Sequence, residues 1–217
     1  MPHRLTTCDG VRARLELLRT RASTPLPAES VPGHFRRAAV LLLVGCHDGS
    51  PTLVLTERSS RMRAHAGEIA LPGGRIEPGE TPEQGAVREA TEEVGVVPSS
   101  VEILGRLDEA WSKARNHVVP VVGWYDADLT RLFPASEEVA RVFLVALDEI
   151  ADRSRHRIEV AVLDGVTYEN DVVDTDACRI YGLTADLVLD LVAWLEGLER
   201  GRIPIRLAEL QRSLGST

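Results

Sequence analysis

No stretch of this 217-residue chain comes near the roughly 18 or more consecutive apolar residues of a membrane-spanning helix. Its N-terminus, MPHRLTTCDGVRARLELL, lacks the apolar core of a secretory signal. Both absences predict a cytoplasmic protein with no membrane partner. Aromatic residues are scarce, at 4%, and acidic residues outnumber basic ones, leaving a net charge of −8. A nucleic-acid surface needs a basic stripe or stacking platforms, so no nucleic-acid partner is expected. Cysteine is sparse as well: Cys8, Cys46 and Cys178 are odd in number and fall in no metal-ligand spacing. Each reads as a small buried apolar residue or a surface thiol.

The 44% of residues that are hydrophobic suffice for one sizeable core. The chain therefore reads as a single domain over 1–217, with an N-terminal helix and linker to about 35, a core over 36–198 and a tail over 199–217. Val11, Leu15 and Leu18 recur at helical spacing within 10–21, and Pro25, Pro27 and Pro32 mark the linker. Strands are predicted at 37–46, 52–58, 101–107, 117–125, 139–146, 156–163 and 166–173. A turn over 47–51 joins the first two, and Asp164-Gly165 is a tight-hairpin signal between the last two. A closing helix over 184–198 carries Leu187, Leu191, Trp194, Leu195 and Leu198 on one side. Strands dominate, with helices packed on them, which is an α+β layered domain.

One short helix stands out. Thr81-Pro82-Glu83-Gln84 spells a capping box with proline at the first helical position, and Gly95 fits the C-terminal cap. Within it, Glu89, Glu92 and Glu93 span an arc of roughly 100°. Carboxylates three or four apart repel by about 0.2–0.5 kcal/mol per pair, and the last turn disfavours negative charge. No lysine lies in 74–96, and Arg88 is the cation beside the cluster. A divalent cation would relieve this crowding, since hard cations take carboxylate oxygens. Ala86, Val87, Ala90 and Val94 fall on the opposite face, predicting a helix attached to a sheet with its carboxylates toward a cleft. Just upstream, Arg58, Arg61, Arg63 and His65 form a local basic cluster in an otherwise acidic chain.

These residues carry a resemblance. Gly74, Glu80 and Arg88-Glu89-Ala90-Thr91-Glu92-Glu93-Val94-Gly95-Val96 match the Nudix box, G-x5-E-x7-R-E-U-x-E-E-x-G-U, at every defined position. The resemblance implies an α/β/α sandwich with a central mixed sheet, a loop–helix–loop metal site, and Mg²⁺- or Mn²⁺-dependent hydrolysis of nucleoside diphosphate derivatives. It implies that Glu89, Glu92 and Glu93 hold metal, that Arg88 orients them, and that Glu80 pairs with Arg88. Glu89 and Glu93 are the expected direct ligands, with Glu92 at a second metal or in the outer shell. A non-catalytic binding module of the same fold would typically have lost box glutamates, and this chain keeps all of them.

Residues 55–74, LTERSSRMRAHAGEIALPGG, are similar to the signature of the coenzyme A pyrophosphatase subgroup, with Glu68 in place of a glutamine and Leu71 in place of a phenylalanine. Glu138-Val139-Ala140 and Ile180-Tyr181-Gly182-Leu183-Thr184-Ala185 resemble further segments of that subgroup. The implied reaction cuts coenzyme A into 4′-phosphopantetheine and adenosine 3′,5′-bisphosphate; ADP-ribose, NADH or a nucleoside triphosphate is the alternative substrate class. Arg58 is the first candidate for a phosphate contact, followed by Arg61, Arg63 and His65, because a guanidinium can grip two phosphate oxygens at once. The same arginines could simply face solvent, and His65 could serve the loop backbone.

Glu138 is a candidate base or additional ligand, although Glu137 beside it could take the role. Gly73-Gly74 predicts a turn with positive φ whose N–H groups could approach phosphate. Trp111–His117 departs from the subgroup pattern and, if it borders the cleft, could alter substrate range. Many family members are homodimers, and Val11, Leu15 and Leu18 could serve either a subunit interface or the chain's own core.

Overall fold

The structure, a computed structural model, describes residues 5, 7–21, 36–61, 66–112, 116–163 and 166–198. The chain opens with α1 (Cys8–Glu16), two residues earlier than its apolar spacing alone suggests, because the Thr7 hydroxyl caps it by accepting from Gly10 N. The helix then tightens into a 3-10 turn, Leu17–Thr20. The central strand β1 (Arg36–His47) follows, buried on both faces along most of its length, which is why RAAVLLLVG reads as a continuous apolar run. Its link to β2 (Ser50–Arg58) is tighter than the predicted turn over 47–51. His47 pairs with Ser50, leaving a two-residue loop of Asp48 and Gly49 at φ 48° and 77°. Asp-Gly supplies this geometry readily; the hairpin signal at Asp164-Gly165 lies outside the described residues.

The remaining elements are β3 (Ile69–Ala70), β4 (Gly73–Arg75), α2 (Pro82–Val94), β5 (Val101–Arg106), β6 (Ala110–Trp111), β7 (Asn116–Tyr125), β8 (Val139–Ala146), α3 (Leu147–Ala151), β9 (His156–Leu163), β10 (Val166–Asp174), β11 (Arg179–Tyr181) and α4 (Gly182–Glu196). The main sheet runs β3-β2-β1-β7-β5, with β4 on β1, β6 on β7 and β8 on β2. β1 and β7 are parallel and the other pairs antiparallel, so the sheet is mixed. The predicted strands 156–163 and 166–173 form, as β9 and β10, and with β11 they make a separate small sheet of order β11-β10-β9.

Helices cover both faces of the main sheet. Alternate residues of β1 decide the sides. Leu41 and Leu43 pack with Ala86, Ala90 and Val94 of α2, while Leu42 and Val44 pack with Leu15 of α1 and with Leu187, Val188 and Leu191 of α4. The result is the expected α/β/α arrangement. Leu198, expected on the packed side of α4, instead lies beyond the helix end at Gly197 and is exposed. Among the described residues no helix is long and apolar enough to cross a membrane.

Two further expectations are corrected or decided. Val11, Leu15 and Leu18 are buried in the chain's own core rather than offered to a subunit interface. Cys8 and Cys46, read as unpaired, form a disulfide (S–S 2.01 Å) that ties the first turn of α1 to the end of β1. Closing a loop of this length contributes roughly 4 kcal/mol in the chain-entropy account. Cys178 alone is free, and burial pushes its thiol pKa up. The predicted linker and tail, 22–35 and 199–217, lie outside the described residues.

Because Leu15 is fully buried, Leu15→Ala should cost about 2–5 kcal/mol in urea unfolding. A loss that shrinks as protein concentration rises would instead place this side chain in a subunit interface.

Candidate metal and substrate site

The glutamate helix α2 starts where the capping box predicts. The Thr81 hydroxyl accepts from Gln84 N at 3.3 Å, and the Gln84 side chain accepts from Thr81 N at 2.8 Å. Gly95, at φ 72°, ends the helix in the left-handed conformation. At its start, Glu83 takes a two-pronged grip from Arg106 on β5, at 2.5 and 2.8 Å. This brace joins residues far apart in sequence, so no local pattern announces it.

Small side chains bring α2 close to the sheet. Ala86 and Ala90 are fully buried, and β4 passes beneath the helix with Gly73 and Gly74 paired to Val40 and Ala39. The two glycines are strand residues rather than the expected turn, and only Gly73 has a positive φ, at 154°. A Cβ on Gly73 would lie 2.4 Å from the Ala39 carbonyl oxygen, and one on Gly74 would lie 2.5 Å from Cδ of Glu89. Absence of a side chain is what lets the carboxylates reach the strand.

The three glutamates fall into distinct environments. Glu93, expected to face a cleft, is only 7% exposed, and its Oε2 accepts from Gly73 N at 2.9 Å. Burial lifts its pKa to about 7, and the charges of Glu89 and Glu138 add to the rise, while Gly73 N–H and Arg58 oppose it. Glu89 is half-buried, and its pKa is raised chiefly by burial, with Glu92 and Glu138 contributing against the Arg88 guanidinium. Glu92 is mostly exposed and turned along the outer face of α2, beside a groove floored by Val87, Val101 and Ile103.

Arg88 organises these groups as expected. It donates to Glu80 at 2.8 and 3.2 Å, to Glu89 at 2.9 Å, to Glu92 at 3.5 Å and to the Arg75 carbonyl at 2.9 Å. Its hydrogen bond holds the Glu80 carboxyl below the ordinary range, helped by Glu77 N–H. Glu80 thus fixes the loop before α2 to the helix.

Of the residues outside the box, Arg58 and Glu138 are brought to the site: both act electrostatically on Glu93, and Glu138 also acts on Glu89. A register shift between Glu57 and Arg58 and a bond from Ser59 N to the Glu138 carbonyl at 2.7 Å set the two side by side. Arg58 Nε is buried without a hydrogen-bond partner among the described residues, as a donor awaiting an anion would be. Arg61 is exposed, with its N–H on the Ser59 hydroxyl at 3.3 Å. Arg63 and His65 lie outside the described residues. In the 111–117 segment, His117 Nε2 meets Glu109 at 2.7 Å and its ring lies 5.0 Å from that of Trp111.

Among the described residues no three acidic, histidine or cysteine side chains converge at ligand distance. The donor chemistry nevertheless fits a hard divalent cation: carboxylates, two of them desolvated and mutually repelling, beside glycines that leave room at the strand.

The family profile described as NUDIX domain matches residues 34–163. The uncharacterised Nudix hydrolase NudL of Yersinia pestis (strain Pestoides F) is 36% identical over 157 residues, covering 72% of this chain and 78% of the relative. NudL of Yersinia pseudotuberculosis serotype O:1b (strain IP 31758) matches equally. Among solved structures, a Nudix hydrolase from M. smegmatis, RenU, is 28% identical with a TM-score of 0.46, over 54% of this chain and 74% of that one. The NUDIX domain of Shewanella oneidensis NrtR, complexed with ADP ribose, is 23% identical with a TM-score of 0.44, over 58% and 81%.

The raised Glu93 pKa has a thermodynamic consequence. Between its ordinary value of 4.5 and about 7, the folded cation-free chain holds a proton that the unfolded chain has released. Stability present below that window should therefore fall as pH rises through it, by roughly 2–3 kcal/mol in urea unfolding. Glu93→Gln should lack this decline, and millimolar Mg²⁺ should offset it in the wild type; equal slopes in the two chains would refute the assignment.

Proposed function

The chain belongs to the Nudix family of hydrolases of nucleoside diphosphate derivatives, and on that footing we propose that it cleaves the pyrophosphate bond of coenzyme A or its acyl derivatives, using Mg²⁺ or Mn²⁺. The observation that carries this reading is the influence of Arg58, from the 55–74 signature, on the buried Glu93 carboxylate, which Glu89 and Glu138 also face. This supports a reading in which recognition and chemistry would share one site.

The bound cation would neutralise anhydride oxygens and lower the pKa of an attacking water. Glu89 and Glu93 would hold it, with Glu92 at the rim. Arg88 would keep Glu89 oriented through its bond to Oε1, and Gly73 N–H does the same for Glu93. Arg58, with its unpartnered Nε, would take a phosphate oxygen of the substrate, with Arg61, Arg63 and His65 as further contacts. Glu138 would accept the water's proton as the water oxygen bonds to phosphorus and the anhydride P–O bond breaks. The products would be 4′-phosphopantetheine, or its acyl form, and adenosine 3′,5′-bisphosphate.

Glu68, Leu71 and the 111–117 segment depart from the subgroup pattern, so substrate comparison is the informative test. Coenzyme A, acetyl-coenzyme A, ADP-ribose and NADH should be assayed with each cation. The highest kcat/KM is expected with a coenzyme A species; preference for ADP-ribose over all of them would reject the substrate assignment. Glu93→Gln should lower kcat by on the order of 10²–10³-fold, the loss of about 3–4 kcal/mol of transition-state stabilisation.

A further inference from the structure

We propose that the Ser136 hydroxyl is a further substrate contact, donating to an oxygen of the bound pyrophosphate beside Arg58. The inference rests on the reading of Arg58 and the α2 carboxylates as a pyrophosphate site, and adds to it a residue ahead of β8. Segment 133–139 is a strap between the two elements that carry that site. At one end, Phe133 N–H and Ala135 N–H donate to the Val94 and Glu93 carbonyls at 3.2 and 2.9 Å. These are carbonyls that the end of α2 would otherwise leave open. At the other end, Val139 lies opposite Arg58 in the β2–β8 pairing, and the Glu138 carbonyl accepts from Ser59 N at 2.7 Å. Ser136 therefore follows directly on the bond to Glu93 and leads into the partner of Arg58.

Side-chain oxygens that open turns normally bond their own turn. Ser59 accepts from Arg61 N at 3.3 Å, Asp128 from Thr130 N at 2.9 Å, Asp152 from Ser154 N at 3.0 Å and Thr175 from Cys178 N at 2.9 Å. Ser136 also opens a turn, its carbonyl accepting from Val139 N at 3.4 Å. Its Oγ, however, is buried with no hydrogen-bond partner among the described residues. An unsatisfied buried hydroxyl destabilises the fold that contains it. The Arg58 Nε is in the same condition on the paired strand. Both atoms carry a proton to donate, and a phosphate oxygen, with its charge and several lone pairs, can accept from two sides. Two such donors flanking the Arg58–Val139 pair, next to carboxylates that would hold a cation, fit a pyrophosphate rather than a neutral ligand.

Calorimetry with inorganic pyrophosphate and Mg²⁺, together with thermal unfolding in EDTA, tests this on Ser136→Ala and Ser136→Cys. Ser136→Ala should raise the pyrophosphate Kd about tenfold, the loss of one hydrogen bond to a charged oxygen. In EDTA its Tm should rise by about 2–4 °C, because the orphaned hydroxyl is gone. A hydroxyl that serves the fold would show the reverse. Ser136→Cys keeps the shape with a weaker donor, so its Kd should lie between those of wild type and Ser136→Ala. A Ser136→Ala Kd within about twofold of wild type overturns the proposal. So does a fall in its Tm, full affinity in Ser136→Cys, or a wild type that binds no pyrophosphate. A wild type that binds pyrophosphate but cleaves no coenzyme A species loses the substrate assignment alone, and the Ser136 contact is then decided by its own Kd and Tm.

Discussion

A carboxylate pressed against a sheet is the constraint on which the rest of this molecule turns. Glu93 sits on a helix whose neighbouring side chains are alanines, above a strand that begins with two glycines. Those choices shorten the helix–strand distance until a backbone N–H can reach the acid. Water is excluded by the same approach, so the negative charge is left in an environment that favours either a proton or a cation. Packing and chemistry are one decision here.

Around that acid the protein places charge in graded fashion. Arg88 is spent on Glu80, Glu89 and a carbonyl, and so works as internal scaffolding. Arg58 is not spent in this way, since its Nε has no described partner. The contrast separates a guanidinium that shapes the site from one available to an incoming anion. Arg106 gives a third case, bracing the start of α2 from β5 through Glu83.

Much of this was legible in the residues. The cap at Thr81, the end at Gly95 and strand 139–146 follow from local patterns, in which spacing and turn chemistry act over a few residues, while the Arg88–Glu80 pairing followed from the family resemblance. The burial of Glu93 was not legible, because helical periodicity assigns a side but not how closely a neighbouring strand approaches. Nor was the disulfide, since two cysteines separated by 38 positions meet only through the packing of α1 on β1. The two-residue strands and β11 are too short to carry a periodic signal and exist through their partners. Gly73-Gly74 was read for its conformational freedom, whereas its main use is the absence of atoms between strand and helix.

The first helix lies entirely ahead of the stretch that matches the family profile, yet Leu15 and Leu18 fill the sheet's α4-side core and Arg21 clamps Asp108 at 2.9 Å. A boundary drawn from family likeness would therefore not be a folding boundary. Trimming to 34–163 would strip the hydrophobic lid from Leu42 and Val44 and sever the covalent staple at Cys46, leaving a fragment with a bare, adhesive flank. For this chain, α1 and α4 are part of the same core as the sheet they cover.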